Sequence, residues 1–280
     1  MKVFDNITEL RRELAAMRGG GRDIEFVPTM GAFHEGHLRL MRTARESGGL
    51  VVVSVFVNPL QFGPSEDFKT YPRGLAADRA MAEAEGVDIL FAPLAGEMYP
   101  DGEIKTRVDP GPLGRILEGE HRPGHFAGVA TVCAKLFNIV GPDRVFIGHK
   151  DAQQVAVLQQ MVRDLNLPLD IVPCPTVREK DGLAMSSRNW RLSPEHRSEA
   201  AALHHALQAA ATSGSSSAEG LVAAARRVLD QHPSVRVQYL EVVHPQTFEP
   251  VDGLTAGALL VVAANVGSVR LIDNCIVGTA

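Results

Sequence analysis

Residues Val27–His37 read VPTMGAFHEGH. Ile24–Thr29, which overlaps this stretch, has the length and composition of a short buried strand. Beyond His37, the residues Leu38, Leu40, Met41 and Ala44 fall on one side of a helix. A strand that runs into a helix is the repeating unit of open parallel sheets, and such sheets bind ligands at the carboxyl ends of their strands. Backbone N–H groups at a helix start favour phosphate. Gly31 and Gly36 let the backbone turn tightly or approach a ligand. Neither a GxGxxG nor a Walker A spacing is present. Two histidines stand at the junction instead, as His34-x-Gly36-His37. An imidazole there can donate to a phosphate oxygen whose charge grows as a P–O bond breaks. The competing reading is a pair of helix-capping or core histidines. The position directly after a strand favours phosphate binding.

The pattern repeats on both sides of this stretch. Asn6 and Glu9 form a capping pair for a first helix that ends near Gly19–Gly21. Leu50–Val57 is almost wholly apolar, as in a strand buried on both faces of a parallel sheet. A helix through Leu75–Glu85 precedes a strand at Val87–Ala92. A helix at Thr131–Val140, a strand at Arg144–Ile147, a helix at Asp151–Leu165 and a strand beginning at Ile171 follow. This alternation implies a doubly wound α/β domain. After about residue 176 the composition changes. Ser193-Pro194 starts an Ala-rich helix, a second helix runs through Leu221–Leu229, and strand patterns close the chain at Val235–Val243, Ala258–Ala264 and Val269–Ile276. The expected organisation is a Rossmann-like domain over residues 1–176 and a smaller α+β domain over 177–280.

Four further segments carry polar groups suited to chemistry. Asn58 and Gln61 follow the most apolar strand and bring amides to the sheet's carboxyl edge, where they can bind a hydroxyl or carboxylate without adding charge. The segment Glu120–Gly128 reads as a flexible flap, an anion-binding loop or a plain solvent loop. At Gly148-His149-Lys150-Asp151 a second strand meets a helix. Lys150 there suits a polyphosphate and Asp151 a metal or a ribose hydroxyl, with Gln154 one turn on. Met185-Ser186-Ser187-Arg188, near the domain boundary, offers hydroxyls and a guanidinium for phosphates.

Composition sets limits. The net charge is −5, which argues against a broad nucleic-acid surface while leaving room for a small anionic substrate. Cys133, Cys174 and Cys275 lie far apart in apolar stretches and read as buried free thiols of a reducing compartment. The start, MKVFDNITELRREL, is charged and helical in pattern, without an apolar signal core. No apolar run reaches the roughly 20 residues needed to cross a bilayer. No membrane association is expected, and the expected location is the cytoplasm.

Taken in order, PTMGAFHEGH, FVNPLQFGPSEDFKTYPR, RPGHFAGVATV, PDRVFIGHKDAQQ and PTVREKDGLAMSSRN resemble the pantothenate synthetase (pantoate–β-alanine ligase) family. The likeness is close over about residues 26–190 and looser through LEVV and RLIDN. The HxGH motif occurs in other nucleotidyltransferases of Rossmann-like fold, and MSSR resembles the mobile KMSKS loop of class I aminoacyl-tRNA synthetases. The resemblance implies a fold of the HxGH nucleotidyltransferase type and a two-step ligation. ATP and pantoate give pantoyl adenylate and pyrophosphate with Mg²⁺, and the amine of β-alanine then displaces AMP. It implies an ATP site of Met30, Gly31, Ala32, Phe33, His34, Glu35, Gly36, His37, Gly148, His149, Lys150, Asp151, Val177, Met185, Ser186, Ser187 and Arg188. His34, His37, Lys150 and Arg188 take the catalytic roles, and Asn58, Gln61 and Gln154 serve the substrate. No protein metal ligand is implied. The second domain acts as a lid, and a homodimer is expected. The chain departs from the family at His149, usually Glu, and Ala152, usually aromatic. Two other readings stand beside this one. One is a cytidylyltransferase-like enzyme acting on a phosphate ester, and the other is a non-catalytic nucleotide-binding regulator.

Overall fold

The structure is a computed structural model that describes residues 1–64, 66–102 and 104–278. Ser65 of the second family-like segment and the last two residues of the expected second domain lie outside the described residues. The chain divides into two compact units. One comprises Met1–His149 and Val157–Cys174, the other Lys150–Ala156 and Pro175–Ala280.

The first unit is built on six parallel strands: β1 (Lys2–Phe4), β2 (Ile24–Thr29), β3 (Leu50–Val55), β4 (Ile89–Phe91), β5 (Arg144–Gly148) and β6 (Asp170–Cys174). Their order across the sheet is β1-β4-β3-β2-β5-β6. From β2 the chain winds outward through β3 to β4, then restarts at β5 on the other side of β2. The reversal lies between β2 and β5, which pair through Glu25–Arg144 and Phe26–Val145. That gap is the place where a doubly wound sheet opens a crevice at its carboxyl edge.

The helices follow from the sequence periodicity. They are α1 (Ile7–Arg18), α2 (Glu35–Glu46), α3 (Leu75–Ala84), the single turns α4 (Ala95–Met98) and α5 (Glu118–His121), α6 (His125–Val140) and α7 (Ala152–Asp164). Alternation along β2 sends its side chains to opposite layers. Val27 joins Leu40, Met41 and Ala44 of α2 and Ala82 of α3 in one core cluster. Phe26 points the other way and meets Phe137 of α6 edge-on at 6.4 Å. Asn6 caps α1 as expected, accepting from the Thr8 and Glu9 amides. The first amide of the helix, Ile7, is taken by Glu97.

Some boundaries differ from the sequence reading. The chain opens with strand β1 rather than with helix. It was illegible because it has three residues and two of them are exposed. Helix α6 begins at His125, six residues before the expected Thr131. Glu120–Gly128 is therefore an exposed turn, with Glu120, His121, Pro123 and Gly124 at the surface, that leads into a buried helix start. Gly124, at φ +80, turns the chain into α6, and His125 and Phe126 are buried. The apolar pattern is broken there by Gly128, which lies against the backbone of Leu60. A Cβ on Gly128 would stand 2.3 Å from the Leu60 carbonyl oxygen.

The second unit has helices α8 (Pro194–Ala200), α9 (Ala202–Ala211) and α10 (Ala218–Leu229), then strands β7 (Val235–Val243), β8 (Leu259–Val266) and β9 (Val269–Ile276). The strands form an antiparallel sheet in the order β7-β8-β9. Ser193 caps α8, with Pro194 at its first position. The Ala-rich stretch is two helices with a break at Ala201 rather than one. Their apolar faces and the inner face of the sheet form a core that includes Leu203, Leu207, Leu221, Leu260 and Val262.

Candidate active site

The loop after β2 is built by its own backbone needs. Thr29 Oγ1 donates to the Ser54 carbonyl at 2.6 Å and accepts from the Gly31 amide at 3.1 Å. Gly31 and Ala32 then both adopt positive φ, +80 and +54. The Ala32 value costs a non-glycine residue about 1 kcal/mol. The conformation is held by Asp78 of α3, a buried carboxylate that the sequence reading missed. Its two oxygens accept the Ala32 amide at 2.9 Å and the Phe33 amide at 2.8 Å. Gly31 is required beside it, because a Cβ there would stand 2.8 Å from Asp78 Oδ2. Nothing local in the sequence marks this carboxylate, because its partners lie 45 and 46 positions upstream.

His34 and His37 form a reciprocal cap on α2. The Gly36 amide donates to His34 Nδ1 at 3.1 Å, and the His34 amide donates to His37 Nδ1 at 3.4 Å. The two rings lie 4.2 Å apart, and Phe33 packs 5.5 Å from His37. The capping reading and the phosphate reading are therefore compatible. A ring whose Nδ1 accepts a backbone N–H carries its proton on Nε2 when neutral. Each cap thus makes Nε2–H the ring's donor, at a helix N-terminus beside the sheet's reversal point. This arrangement suits an anionic oxygen.

The amides after β3 sit in a buried network. Pro59–Gln61 is a short 3-10 turn capped by Asn58. Asn58 Nδ2 donates to Gln61 Oε1 at 3.0 Å and to the Gly128 carbonyl at 3.1 Å. Tyr99 Oη donates to Asn58 Oδ1 at 2.7 Å, and Gln61 Nε2 reaches Met30 Sδ at 3.2 Å. Met30 and Gln61, expected at one site, are thus brought into contact. From the other side, Glu66 holds Arg122 in a two-pronged ion pair at 2.7 and 2.9 Å. Arg122 donates to His125 Nε2 at 2.9 Å, so His125 Nδ1–H donates to the Gln61 carbonyl, also at 2.9 Å.

Burial, with the Arg122 charge beside it, pushes the His125 imidazole down to about 4 from an ordinary 6.5. A lowered value means that unfolding takes up a proton between those limits. The stability held by the neutral ring is complete above about 6.5 and is lost as pH falls towards 4, by about 3 kcal/mol in all. Urea midpoints measured from pH 7 to 4.5 are expected to fall more steeply for the wild type than for His125→Asn. Equal slopes would refute this assignment.

At the end of β5, Gly148 faces open space, with no atom within 4 Å of a Cβ built on it. His149 is half-buried, and burial pushes its imidazole down. It stands near the strand end as a group that burial biases towards its neutral form. Ala152 is buried.

In the second unit, Lys150 Nζ lies 3.5 Å from Asp151, and the Lys150 carbonyl accepts from Asn274 Nδ2 at 3.0 Å. Gln154 is partly buried on α7. Val177 and Met185 are joined by a backbone bond of 2.9 Å, next to the bridge Arg178–Ala184. Arg178 anchors this hairpin through two bonds to buried Asp273 of β9, at 2.6 and 2.9 Å. The Ser186 hydroxyl accepts the Arg188 amide at 3.2 Å, which turns the MSSR segment on itself. Gly182, at φ +90, lies against His204, where a Cβ would meet the ring at 1.9 Å. The structure thus groups Val177 and Met185–Arg188 on one anchored turn.

The three cysteines are free. Burial pushes Cys133 and Cys275 up to about 12 and Cys174 up to about 11, which favours the protonated thiol in all three near neutral pH. Among the described residues no group of three or more His, Cys, Asp or Glu side chains could hold a metal ion. No helix among them is long and apolar enough to cross a membrane.

Comparison with known proteins gives a consistent result. The family model described as pantoate-beta-alanine ligase matches residues 2–276. A pantothenate synthetase of Acidobacterium capsulatum is 53% identical over 279 residues, covering 97% of this chain and 93% of that protein. The crystal structure of pantothenate synthetase from Thermus thermophilus superposes with a TM-score of 0.93 at 49% identity, covering 99% of both chains. A pantoate-beta-alanine ligase from Francisella tularensis, complexed with beta-gamma ATP and beta-alanine, superposes with a TM-score of 0.83. It is 34% identical and covers 100% of this chain and 99% of that one.

Proposed function

Since the chain belongs to the pantoate–β-alanine ligase family, we propose that its residues divide the work of that reaction as follows. The activity is the ATP-dependent joining of pantoate to β-alanine to give pantothenate. A free carboxylate is a poor electrophile, so the reaction runs through an acyl adenylate. A pantoate carboxylate oxygen attacks the α-phosphorus of ATP and pyrophosphate leaves. The β-alanine amine then attacks the activated carbonyl, loses a proton, and AMP departs with the electron pair of the cleaved C–O bond.

The observation that carries this division is the pair of capped imidazoles on α2. With Nδ1 committed to backbone amides, His34 and His37 offer Nε2–H donors to the phosphates. His37 serves the oxygen on which charge develops as pyrophosphate leaves. Met30–Phe33 bring the loop backbone to the nucleotide, with Glu35 and Gly36 in the first turn of α2. Gly148 and His149 take the nucleotide at the end of β5, where the open space at Gly148 leaves room for it. Lys150 and Arg188 stabilise the phosphates, Asp151 holds the ribose, and the Val177 backbone meets adenine. Met185, Ser186 and Ser187 support Arg188, and residues 177–280 serve as a lid. Gln61 and Gln154 bind pantoate, with Asn58 in support.

Mg²⁺ in nucleotide sites is held largely by phosphate oxygens and water. The Asp151 carboxylate, 3.5 Å from Lys150 Nζ, is the protein oxygen donor that fits such an ion. When bound, Mg²⁺ would neutralise phosphate charge, and Asp151 would be the residue to hold it. The cytoplasm is the compartment that suits three free thiols. A homodimer fits the family resemblance and the prevalence of twofold assemblies.

The test mixes ATP, Mg²⁺, pantoate and β-alanine and measures AMP. Under multiple turnover, AMP is expected only when both acids are present. AMP release without pantoate would overturn the ligase reading and favour another nucleotidyltransferase. Nucleotide binding without any AMP would favour the regulator.

A further inference from the structure

Tyr99 does more than fill the core beneath Gln61. Asn58 is 1% exposed and Tyr99 7%, so the polar groups of this network are settled by one another. Two backbone groups decide which way the Asn58 amide points. The Gly128 carbonyl can only accept, so the Asn58 atom facing it, at 3.1 Å, is Nδ2. The Leu60 amide can only donate, so the atom facing it, at 3.3 Å, is Oδ1. The second hydrogen of Nδ2 then reaches Gln61 at 3.0 Å, and the Gln61 atom there must be Oε1. Gln61 is left with its NH₂ edge directed at Met30, in the loop after β2. A thioether is a weak acceptor, so a ligand oxygen placed there is a better partner than the sulfur. The Leu60 contact is long. The short bond to Oδ1, at 2.7 Å, comes from the Tyr99 hydroxyl. Burial pushes that phenol up, which keeps it a donor at every working pH.

We propose that Tyr99 is a positioning residue which, through Asn58, locks the Gln61 amide with its N–H edge outward, so that the enzyme reads a substrate oxygen there as an acceptor. This rests on the reading that Gln61 contacts pantoate. The outward edge is matched to a carboxylate or to a hydroxyl acting as acceptor. Loss of the Tyr99 hydroxyl leaves Asn58 Oδ1 with only the long Leu60 contact, which loosens the Asn58 amide and with it the hold on Gln61 Oε1.

The experiment is a pantoate titration of Gln61→Ala, Gln61→Glu and Tyr99→Phe, with ATP and β-alanine saturating. Gln61→Ala tests the underlying reading. An unchanged pantoate KM in that variant means that Gln61 does not contact pantoate. With that contact established, Gln61→Glu keeps an oxygen for Asn58 but presents a charged oxygen outward. It is expected to raise the pantoate KM about 100-fold. Tyr99→Phe keeps the ring packing and is expected to raise the pantoate KM roughly 5- to 20-fold, the loss of one buried hydrogen bond. Its kcat and its KM for ATP should change by less than about twofold. A Gln61→Glu enzyme with near-normal pantoate KM means that the oxygen edge faces the substrate, and overturns the proposal. So does a Tyr99→Phe enzyme whose pantoate KM is normal, or whose parameters all fall together with its stability.

Discussion

His37→Ala is expected to lower pantoate-dependent ATP–pyrophosphate exchange by about 100- to 1,000-fold, the usual cost of deleting one preorganised donor at a site of developing charge. The geometry separates two roles of the ring. His37 Nδ1 accepts the His34 amide and belongs to the helix cap. The opposite nitrogen, Nε2, is the donor assigned to the phosphates. Asparagine places its side-chain oxygen near Nδ1 and leaves nothing at Nε2. Glutamine reaches the Nε2 position with an N–H. His37→Asn should therefore fold with wild-type stability and exchange as poorly as His37→Ala, whereas His37→Gln should regain part of the rate. Loss of the cap alone costs about 1 kcal/mol of stability. If exchange in the three variants follows their stability and not the presence of a donor, the catalytic role of His37 is wrong.

Asp78→Asn is expected to destabilise the protein by about 2–4 kcal/mol and to raise the KM for ATP at least tenfold, through two losses at a buried site. Asp78 is 2% exposed and has no contact assigned to any substrate. Both of its oxygens accept backbone amides, from Ala32 and Phe33. An asparagine keeps one acceptor and turns an NH₂ group against the other amide. That leaves a buried donor without a partner, on top of the loss of a charge-assisted bond. The loop it holds carries successive positive φ values at Gly31 and Ala32. Without the carboxylate it has reason to relax, and the N-terminus of α2 moves with it. Urea unfolding gives the stability, and initial rates against ATP give the KM. An Asp78→Asn enzyme with wild-type values in both would show that the loop conformation is set by other contacts.

These two residues show how legible the site was. His34 and His37 could be read at once, because the motif and its position after a strand are both local. From the sequence, capping and phosphate binding stand as competing readings of the pair, yet the same rings can serve both purposes through different nitrogens. Asp78 could not be read, because its carboxylate is tied to residues far upstream and looks, in its own helix, like any polar position. Tyr99 and the pair Arg122–His125 were hidden in the same way. Each reaches the Asn58–Gln61 turn from a distant segment, and the polar character of RPGH suited a flap, an anion-binding loop or a solvent loop, although His125 is buried.

Apart from β1, the single turns α4 and α5 and the break at Ala201, the order of strands and helices was legible in the sequence. Burial on both faces of a parallel strand imposes an apolar run, and packing on one face of an antiparallel strand favours alternation, so β2, β7 and β9 could be bounded to the residue. The chemical inventory of the site was also legible, through motifs whose residues are adjacent. Only the tertiary structure decided which nitrogen of each histidine serves the helix cap, which edge of Gln61 faces outward and what holds the Gly31–Phe33 loop. Those are questions of which donor meets which acceptor. Hydrogen bonds are satisfied by proximity in space, and the partners here come from segments up to 70 residues apart.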